Sequence, residues 1–414
     1  MILFVILTGI TVLAGLLQLL AYRRMYVYVQ KELRREQGSY CPKAAVILPC
    51  KGLDPGFENN IKKLFEQQYY RSHDKQVPNF EILFAVAAKE DPAFPVLSQI
   101  IEQYPQIQAK LVVAGTNPQR AQKVNNQLSA LKHISSDVEV LVFVDSDMVA
   151  RPDFIQRLVA PLAEDRVGIA TGYRFYIPFK GDWPSLLRTL WNRVSAWELV
   201  SKKLAFAWGG AMAITYVNFK KAHVAEAWDK AADDDLSMTT AVKKLGLDVR
   251  FVPQCLVASD GDAGLGEIIE WTNRQLILTK VYYPPLWRKA IMRALILAFW
   301  LVAVLVCAYQ AIVQDDYLSK LAGCMGLSLL LIEIIFLVQA QKLWRQVLFA
   351  DGTKDAQQEK IAQAYKQSFM KSIWMLPLAH CLLPWITLNS LLTNRIRWRG
   401  VTYELKSPTE TIIV

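Results

Sequence analysis

The sequence predicts an α/β protein: a Rossmann-like domain with a mostly parallel sheet, preceded by a transmembrane anchor and followed by further transmembrane helices. Three observations lead there. Between residues 43 and 289, short runs rich in β-branched and aromatic residues alternate with stretches that are apolar at helical spacing, as in a parallel sheet covered by helices on both faces. Hydrophobic residues make up 53% of the 414 positions and charged ones only 20%, so part of the chain is expected to lie in lipid. The apolar residues concentrate in segments of about twenty residues, enough to cross a bilayer core of about 30 Å.

Residues 2–21 carry no charge. A cleaved signal peptide has a basic start, a shorter apolar core and a small-residue cleavage site. Here the charges come afterwards, in "YRRMYVYVQKELRR" (22–35), so an anchor (1–22) and a basic juxtamembrane linker (23–42) on the cytosolic side are expected.

The domain at 43–289 opens with "AAVILPC", a buried strand, followed by the loop "KGLDPGFENN" and the helix "IKKLFEQQY", whose Ile61, Leu64, Phe65 and Gln68 share a face. "FEILFAVAA" is a second strand ending in "KEDP", and "AFPVLSQIIEQY" the next helix. "AKLVVAG" is a third strand, "AQKVNNQLSALKHI" a helix, and "VLVFV" (140–144) a fourth strand. Beyond it, "RVGIATGYRFYIP" and "AFAWGGAMAITY" read as strands with helical "WPSLLRTLWNRVSAWELVSKKL" between them.

Ligands of such sheets bind beyond the carboxyl ends of the strands. Two acidic groups fall there: Glu90 with Asp91, and Asp145 with Asp147. On an extended chain Asp145 and Asp147 project to one side about 6–7 Å apart, and two such carboxylates repel unless a cation sits between them. The alternative is a solvated strand end with two surface acids. Asp233, Asp234 and Asp235 precede a helix start, where carboxylates are favoured by unpaired N–H groups; a cap accounts for one of them.

Two further spans are expected within 290–340, at 290–313 and 318–339, the second carrying Glu333, which should face protein or water. "QDDYLSK" between them suits a non-cytosolic loop. The basic stretch at 341–370, with Trp344, Phe349, Tyr365 and Phe369 among its charges, suits cytosolic interfacial helices. Residues 371–392 are apolar but interrupted by Pro377 and Pro384, and are read as a transmembrane or, preferably, re-entrant segment that returns the tail (393–414) to the cytosol.

The formal charge of +10 comes from basic residues flanking apolar spans, which points to an anionic membrane surface rather than nucleic acid. The six cysteines form no Cys-x-x-Cys pair and read as reduced and structural, and none of the four histidines sits near a predicted strand end.

The chain resembles the family-2-type glycosyltransferases of GT-A fold, most closely the ceramide glucosyltransferase branch (family 21). The resemblance rests on "LPCKGLDPGFENNIKKLFEQQYY" with "KEDPA" after the next strand, on "AQKVNNQL", "DSDMVARPD", "GGAMAI" and "ADDDLSMTTAVKKLGLDVRF", and on the tail "RWRGVTYEL". It implies that Asp91, with Glu90 and Lys51, contacts the nucleotide, and that Lys123 lies near the sugar diphosphate. It further implies that Asp145 and Asp147 hold that diphosphate and its Mg2+ or Mn2+, that Asp235 is the general base with Asp234 the preceding acid, and that Gly209, Gly210, Arg274 and Gln275 border the acceptor. The implied activity is transfer of a hexose, glucose from UDP-glucose, to a hydroxyl of a membrane lipid such as ceramide, diacylglycerol or a hopanoid-type lipid. With one base and no protein nucleophile, a single displacement with inversion is the economical route.

Two departures shape the expectation. Relatives carry Gln/Arg-x-x-Arg-Trp after the base; here Arg274 fits the first position but Ile277 and Leu278 replace Arg-Trp. A cation-and-indole platform is therefore expected to be missing, which argues against processive polysaccharide synthesis, with Trp271 or Trp287 either substituting or anchoring at the membrane interface. The His-Pro-Arg motif of the animal enzymes is also lacking, which favours a bacterial lipid glucosyltransferase in the cytoplasmic membrane with its catalytic domain in the cytosol. The alternatives are a polysaccharide synthase-like transferase and a catalytically silent membrane protein that keeps the fold.

Overall fold

The computed structural model describes residues 2–36, 38–71, 77–313, 317–350 and 356–414. Part of the expected "QDDYLSK" loop (314–316) and part of the basic stretch (351–355) lie outside the described residues.

In chain order, helix α1 (Ile2–Leu33) leads to β1 (Ala44–Pro49), α2 (Phe57–Phe65), β2 (Phe80–Val86), α3 (Ala93–Gln103), β3 (Gln108–Val113), α4 (Gln122–Leu131) and β4 (Val140–Val144). After α5 (Phe154–Val159) come β5 (Val167–Ile177), α6 (Trp183–Ser195), β6 (Ala211–Thr215), α7 (Tyr216–Lys221), α8 (Val224–Trp228), α9 (Asp235–Lys244) and β7 (Asp248–Asp260). The chain ends with α10 (Leu265–Tyr282), α11 (Pro284–Val313), α12 (Tyr317–Leu348), α13 (Ala356–Ile373), α14 (Leu376–Leu392) and strands β8 (Arg395–Trp398), β9 (Val401–Ser407) and β10 (Glu410–Ile413).

Strands β1–β7 form one sheet in the order β3-β2-β1-β4-β6-β5-β7. Only β6 runs antiparallel to its neighbours, so the mostly parallel GT-A architecture expected is present. Alternation supplies both faces: Val46 and Leu48 of β1 and Val142 and Val144 of β4 pack under one helical layer, while Ile47, Leu141 and Phe143 pack under the other. Two strand expectations need correction. The stretch 205–216 is extended only at Ala211–Thr215, because Gly209 and Gly210 turn the chain before β6. The thirteen-residue β7 is foreseen by no pattern; it is an edge strand, and that position tolerates its Pro253.

Among the described residues, three helices are long and apolar enough to cross a membrane: Ile6–Leu33, Pro284–Val313 and Tyr317–Leu348. Two of them continue beyond their apolar parts into the α/β domain. Met25 and Val29 of α1 and Leu343, Trp344 and Val347 of α12 are buried with Phe175 of β5 and Phe251 of β7. Tyr28 Oη donates to Phe251 O at 2.6 Å, and Arg250 bridges Glu32 at 3.0 Å and Glu164 at 2.8 Å. The segment expected to be a basic juxtamembrane linker (23–42) therefore begins as helix, up to Leu33. Helices α13 and α14 meet at a 74° bend. Glu333 faces protein: it accepts from Gln18 of α1, and His380 Nε2 of α14 lies 2.8 Å from its Oε2.

The tail is a small antiparallel sheet in the order β10-β9-β8 rather than a loose end. Ile396, Tyr403 and Leu405 are buried in the domain core beside Ile277 and Tyr282 of α10. Lys280 Nζ caps the end of α14, donating to Ser390 O at 2.8 Å and Thr393 O at 3.4 Å. Truncating fully buried Leu405 to Ala should cost about 2–5 kcal/mol, seen as a lower melting temperature of the detergent-solubilised chain. An unchanged melting temperature would mean that the tail sheet does not support the domain.

Candidate active site

The site is assembled by the sheet's one direction reversal. Because β6 pairs antiparallel with β4, with Val144 opposite Ala211, the residue that follows β4 meets the residue that precedes β6: Asp145 N donates to Gly210 O at 3.4 Å. Parallel β5 and β7 change register beside this point, from Thr171↔Phe251 to Tyr173↔Leu256, with residues 252–255 of β7 passing a single residue of β5. A Cβ on that residue, Gly172, would lie 2.3 Å from Cys255 O. Such an irregularity re-aims the side chains after it, and Arg174 comes next into the site.

Asp145 and Asp147 do not share the face of a strand. Strand β4 stops at Val144 and the two acids follow in a turn. What unites them is Arg174, which donates to Asp147 Oδ1 at 2.5 Å and Oδ2 at 2.7 Å, and to Asp145 Oδ2 at 3.4 Å. The guanidinium rests 4.9 Å from the Trp208 ring centroid. Lys123 of α4 forms the second link, with Nζ 2.9 Å from Asp145 Oδ1, 3.1 Å from Asp234 Oδ2 and 3.3 Å from Gly209 O. Arg174 is absent from every sequence-based expectation; the available signal was a lone arginine inside an otherwise apolar strand.

The three consecutive aspartates divide their tasks. Asp233 is the cap, its Oδ1 accepting from Leu236 N at 2.8 Å and Ser237 N at 3.3 Å. Asp234 accepts from Gln127 Nε2 at 2.8 Å besides contacting Lys123. Asp235 Oδ2 accepts from Gly209 N at 2.7 Å. Burial pushes the Asp235 carboxyl well above the usual carboxylate range, the charges of Asp233 and Asp234 adding to the shift and Lys123 and the Gly209 N–H opposing it. Asp233 is pushed up to about 7 by burial and by Asp234. Asp145 is held low, because Lys123 and Arg174 outweigh its burial. Lys123 stays protonated for the reciprocal reason: burial would lower it, but Asp145, Asp234 and Asp235 prevail.

Gly209 and Gly210 owe their identity to this packing. A Cβ on Gly209 would lie 2.6 Å from Asp234 Oδ2 and 2.8 Å from Lys123 Nζ, and one on Gly210 would lie 2.1 Å from the Trp208 ring. The close approach that these glycines permit is to carboxylate, ammonium and indole of the protein itself.

Asp91 stands apart from this cluster, at the end of β2. Its Oδ1 accepts from Gly52 N and Ala93 N, both at 2.9 Å, which starts α3 and fixes the loop after β1, while Glu90 is exposed. That loop meets the tail at Lys51. Lys51 Nζ donates to Arg399 O at 3.2 Å, Arg399 Nη1 returns to Lys51 O at 3.0 Å, and Arg399 Nη2 reaches Asp54 Oδ1 at 3.1 Å. Arg399 and Gly400 both take positive φ, 47° and 82°, in the β8–β9 turn that presents these groups. One position earlier, Trp398 lies under Arg274, with the guanidinium 5.4 Å from the ring centroid. A cation-and-indole platform is therefore present, contrary to the expectation from the local motif: the indole arrives from about 120 residues away through tertiary packing. Trp271 edges onto Tyr176, whereas Trp287 donates to Ser390 Oγ at 3.1 Å.

One cavity of about 470 Å3 joins these groups. Its polar end is lined by Lys51, Lys123, Asp145, Asp147, Arg174 and the three aspartates; Trp271, Arg274, Gln275 and Trp398 also line the cavity; on α11 and α14 the lining combines Leu286, Leu297, Leu376 and Leu383 with Lys289, Arg293 and His380. Asp91, Glu90, Gly209 and Gly210 are outside this lining. At the polar end Asp145 and Asp147 lie two residues apart and share the Arg174 guanidinium, which makes them the pair of carboxylates on which a further cation could be held. Among the described residues no group of three or more His, Cys, Asp or Glu side chains is arranged to hold a metal alone. The donor set thus fits an ion such as Mg2+ that takes one or two protein carboxylates and completes its shell with phosphate and water.

A model of the family described as "Glycosyl transferase family 21" matches residues 3–411. Ceramide glucosyltransferase 1 of Caenorhabditis elegans is 31% identical over 114 residues, which cover 28% of this chain and 22% of the relative. The ceramide glucosyltransferase of Candida albicans is 28% identical over 131 residues, again 28% of this chain and 22% of the relative. The chain thus spans less than a quarter of the length of these two relatives in the matched stretch. Among solved structures, the mannosyltransferase PcManGT from Pyrobaculum calidifontis in complex with GDP-Man and Mn2+ aligns over 80% of this chain and 99% of its own, with 18% identity and a TM-score of 0.46.

The tight seat of Gly209 has a measurable consequence. Gly209→Ala should destabilise the chain by about 1–3 kcal/mol, since neither the Asp234 carboxylate nor Lys123 can withdraw without losing the other. A melting temperature equal to that of the parent would show that the cluster relaxes freely.

Proposed function

The chain belongs to glycosyl transferase family 21, and we propose that it transfers a hexose, glucose from UDP-glucose, to a hydroxyl of a membrane lipid such as ceramide, diacylglycerol or a hopanoid-type lipid. The observation that carries the reading is the single cavity running from an acid–cation cluster to leucines of α11 and α14. A sugar nucleotide suits the first end and an acyl or polycyclic tail the second, so the two substrates meet near Asp235 and Arg274. The three membrane-length helices hold that cavity at a bilayer, with the α/β domain on the cytosolic side, where nucleotide sugars are made.

In this reading Asp91 keeps the loop after β1 in shape for the nucleotide base, through its bond to the Gly52 N–H, with Glu90 beside it and Lys51 at the loop's start. Lys123 stands by the diphosphate and, tied to Asp145 and Asp234, is kept charged. Asp145 and Asp147 would hold a divalent cation, Mg2+ or Mn2+. When bound, that ion neutralises charge on the leaving diphosphate as a Lewis acid. Asp235 takes the proton of the acceptor hydroxyl; burial makes it a stronger base than an exposed carboxylate, and its bond to the Gly209 N–H fixes its orientation. Arg274 and Gln275, with Trp271 and Trp398, frame the acceptor headgroup. The reaction is a single displacement with inversion.

The reading is tested by supplying the detergent-solubilised chain with labelled UDP-sugars and lipid extract, with and without divalent metal. A labelled glycolipid formed only with metal is expected; the absence of any glycolipid across the UDP-hexoses would overturn the proposal. Asp235→Asn should lower kcat by about 10²–10⁴-fold while leaving metal-dependent UDP binding intact, whereas Asp147→Ala should weaken that binding; full turnover by Asp235→Asn would remove it as the base. Because the base must be ionised and its pKa is raised, kcat/KM should fall on acidification with a midpoint well above the ordinary carboxylate value of about 4. A profile flat down to that value would mean that a less buried group does the work.

A further inference from the structure

Arg174 has no part in the family-derived assignment, yet it is the side chain most intimately engaged with Asp145 and Asp147. It forks both oxygens of Asp147, at 2.5 and 2.7 Å, and reaches Asp145 at 3.4 Å. Its side chain is only 13% exposed, and its Nε is buried without a hydrogen-bond partner among the described residues. Trp208 and Tyr176 lie 4.9 and 5.9 Å from the guanidinium carbon, so aromatic faces rather than hydrogen bonds support the rest of the group. Lys123 is tied differently: it joins Asp145 to Asp234 and to the Gly209 carbonyl, and leaves Asp147 to Arg174.

We propose that Arg174 is a resident counter-ion that holds the Asp145–Asp147 pair in the donor-free protein and passes to the donor's diphosphate when a divalent cation takes its place, so that tight metal binding is conditional on the nucleotide. The argument is one of exchange. A metal ion arriving alone must break a bidentate, charge-assisted pair and leave a largely buried guanidinium with no counter-charge, which is strongly unfavourable. A metal ion arriving with a diphosphate brings planar pairs of oxygens that match the same fork, so each partner lost is replaced. The flat faces of Trp208 and Tyr176 support the guanidinium without fixing its direction, which suits a group that turns between two acceptors. The aromatic seat depends on Gly210, whose missing Cβ lets the Trp208 ring lie against the backbone.

The inference rests on reading the site as a metal-assisted sugar-nucleotide site, and the experiment separates the two. Mn2+ binding to the purified full chain is followed by the electron paramagnetic resonance signal of the free ion, with and without UDP. The parent should bind Mn2+ weakly alone and much more tightly with UDP. Arg174→Gln should bind Mn2+ alone at least about tenfold more tightly, about 1.4 kcal/mol, and gain little from UDP. Arg174→Lys keeps the charge but lacks the fork, and should bind Mn2+ alone more tightly than the parent though less so than Arg174→Gln; it supplies the answer if the glutamine variant does not fold. If Mn2+ alone binds the parent and the folded variant equally, the counter-ion role is overturned while the metal site stands. If UDP brings no Mn2+ to either protein, the metal reading and the inference fall together.

Discussion

Everything at the centre of this molecule depends on balancing like charges. Five aspartates from a turn after β4 and from the entrance to α9 converge on a mostly buried volume, where Lys123 and Arg174 pair with them directly and Lys51, Arg274 and Arg399 line the same cavity. Charges so confined cannot remain unpaired. The structure answers in three ways: Asp145 and Asp147 are paired with cations, Asp233 is spent on backbone N–H groups, and Asp235 is left where burial favours its protonated form. The neighbouring irregularities serve that arrangement. The register change in β5 and β7 aims Arg174, Gly209 makes room for Asp234, and Gly210 makes room for the indole beneath the guanidinium.

The second organising constraint is that distant chain segments finish the cavity. The loop after β1 is closed by Arg399 of the tail, and Arg274 is backed by Trp398. These contacts join the loop after the first strand of the domain to the turn of its β8–β9 hairpin, so the polar end of the cavity is built from both ends of the domain. The far end of the cavity is likewise shared between α11 and α14, and His380 ties α14 to Glu333 of α12.

What could be read in the sequence follows from how local each signal is. Strands β1 to β4 and their helices announce themselves through alternation and helical spacing, and the acids through their places at strand ends and a helix start. Asp147 and Asp235 were therefore legible from their positions, whereas Lys123 was marked only by the family resemblance. Arg174 was not, because its meaning lies in a pairing across the sheet that no spacing encodes. No strand is expected in the tail because hairpins with few apolar residues give little periodic signal until the surface that buries Ile396, Tyr403 and Leu405 is known. The motif-based expectation of a missing indole failed for the same reason: the ring beside Arg274 is supplied at a point in space by Trp398, not at a neighbouring point in the chain. Asp91 shows the converse, a residue flagged at a strand end whose visible contacts shape a loop rather than line the cavity.

The unbroken passage of α1 and α12 from their apolar stretches into the core around Trp344 has a mechanical corollary. A domain welded to its anchors has no hinge with which to adjust its height, so its cavity mouth stands at a distance from the bilayer midplane set by helix length. In a membrane of different hydrocarbon thickness the whole body must tilt or the lipid must deform, at a cost of fractions of a kcal/mol per Å. Lipid composition would then act on this protein as a ruler, not only as a reservoir.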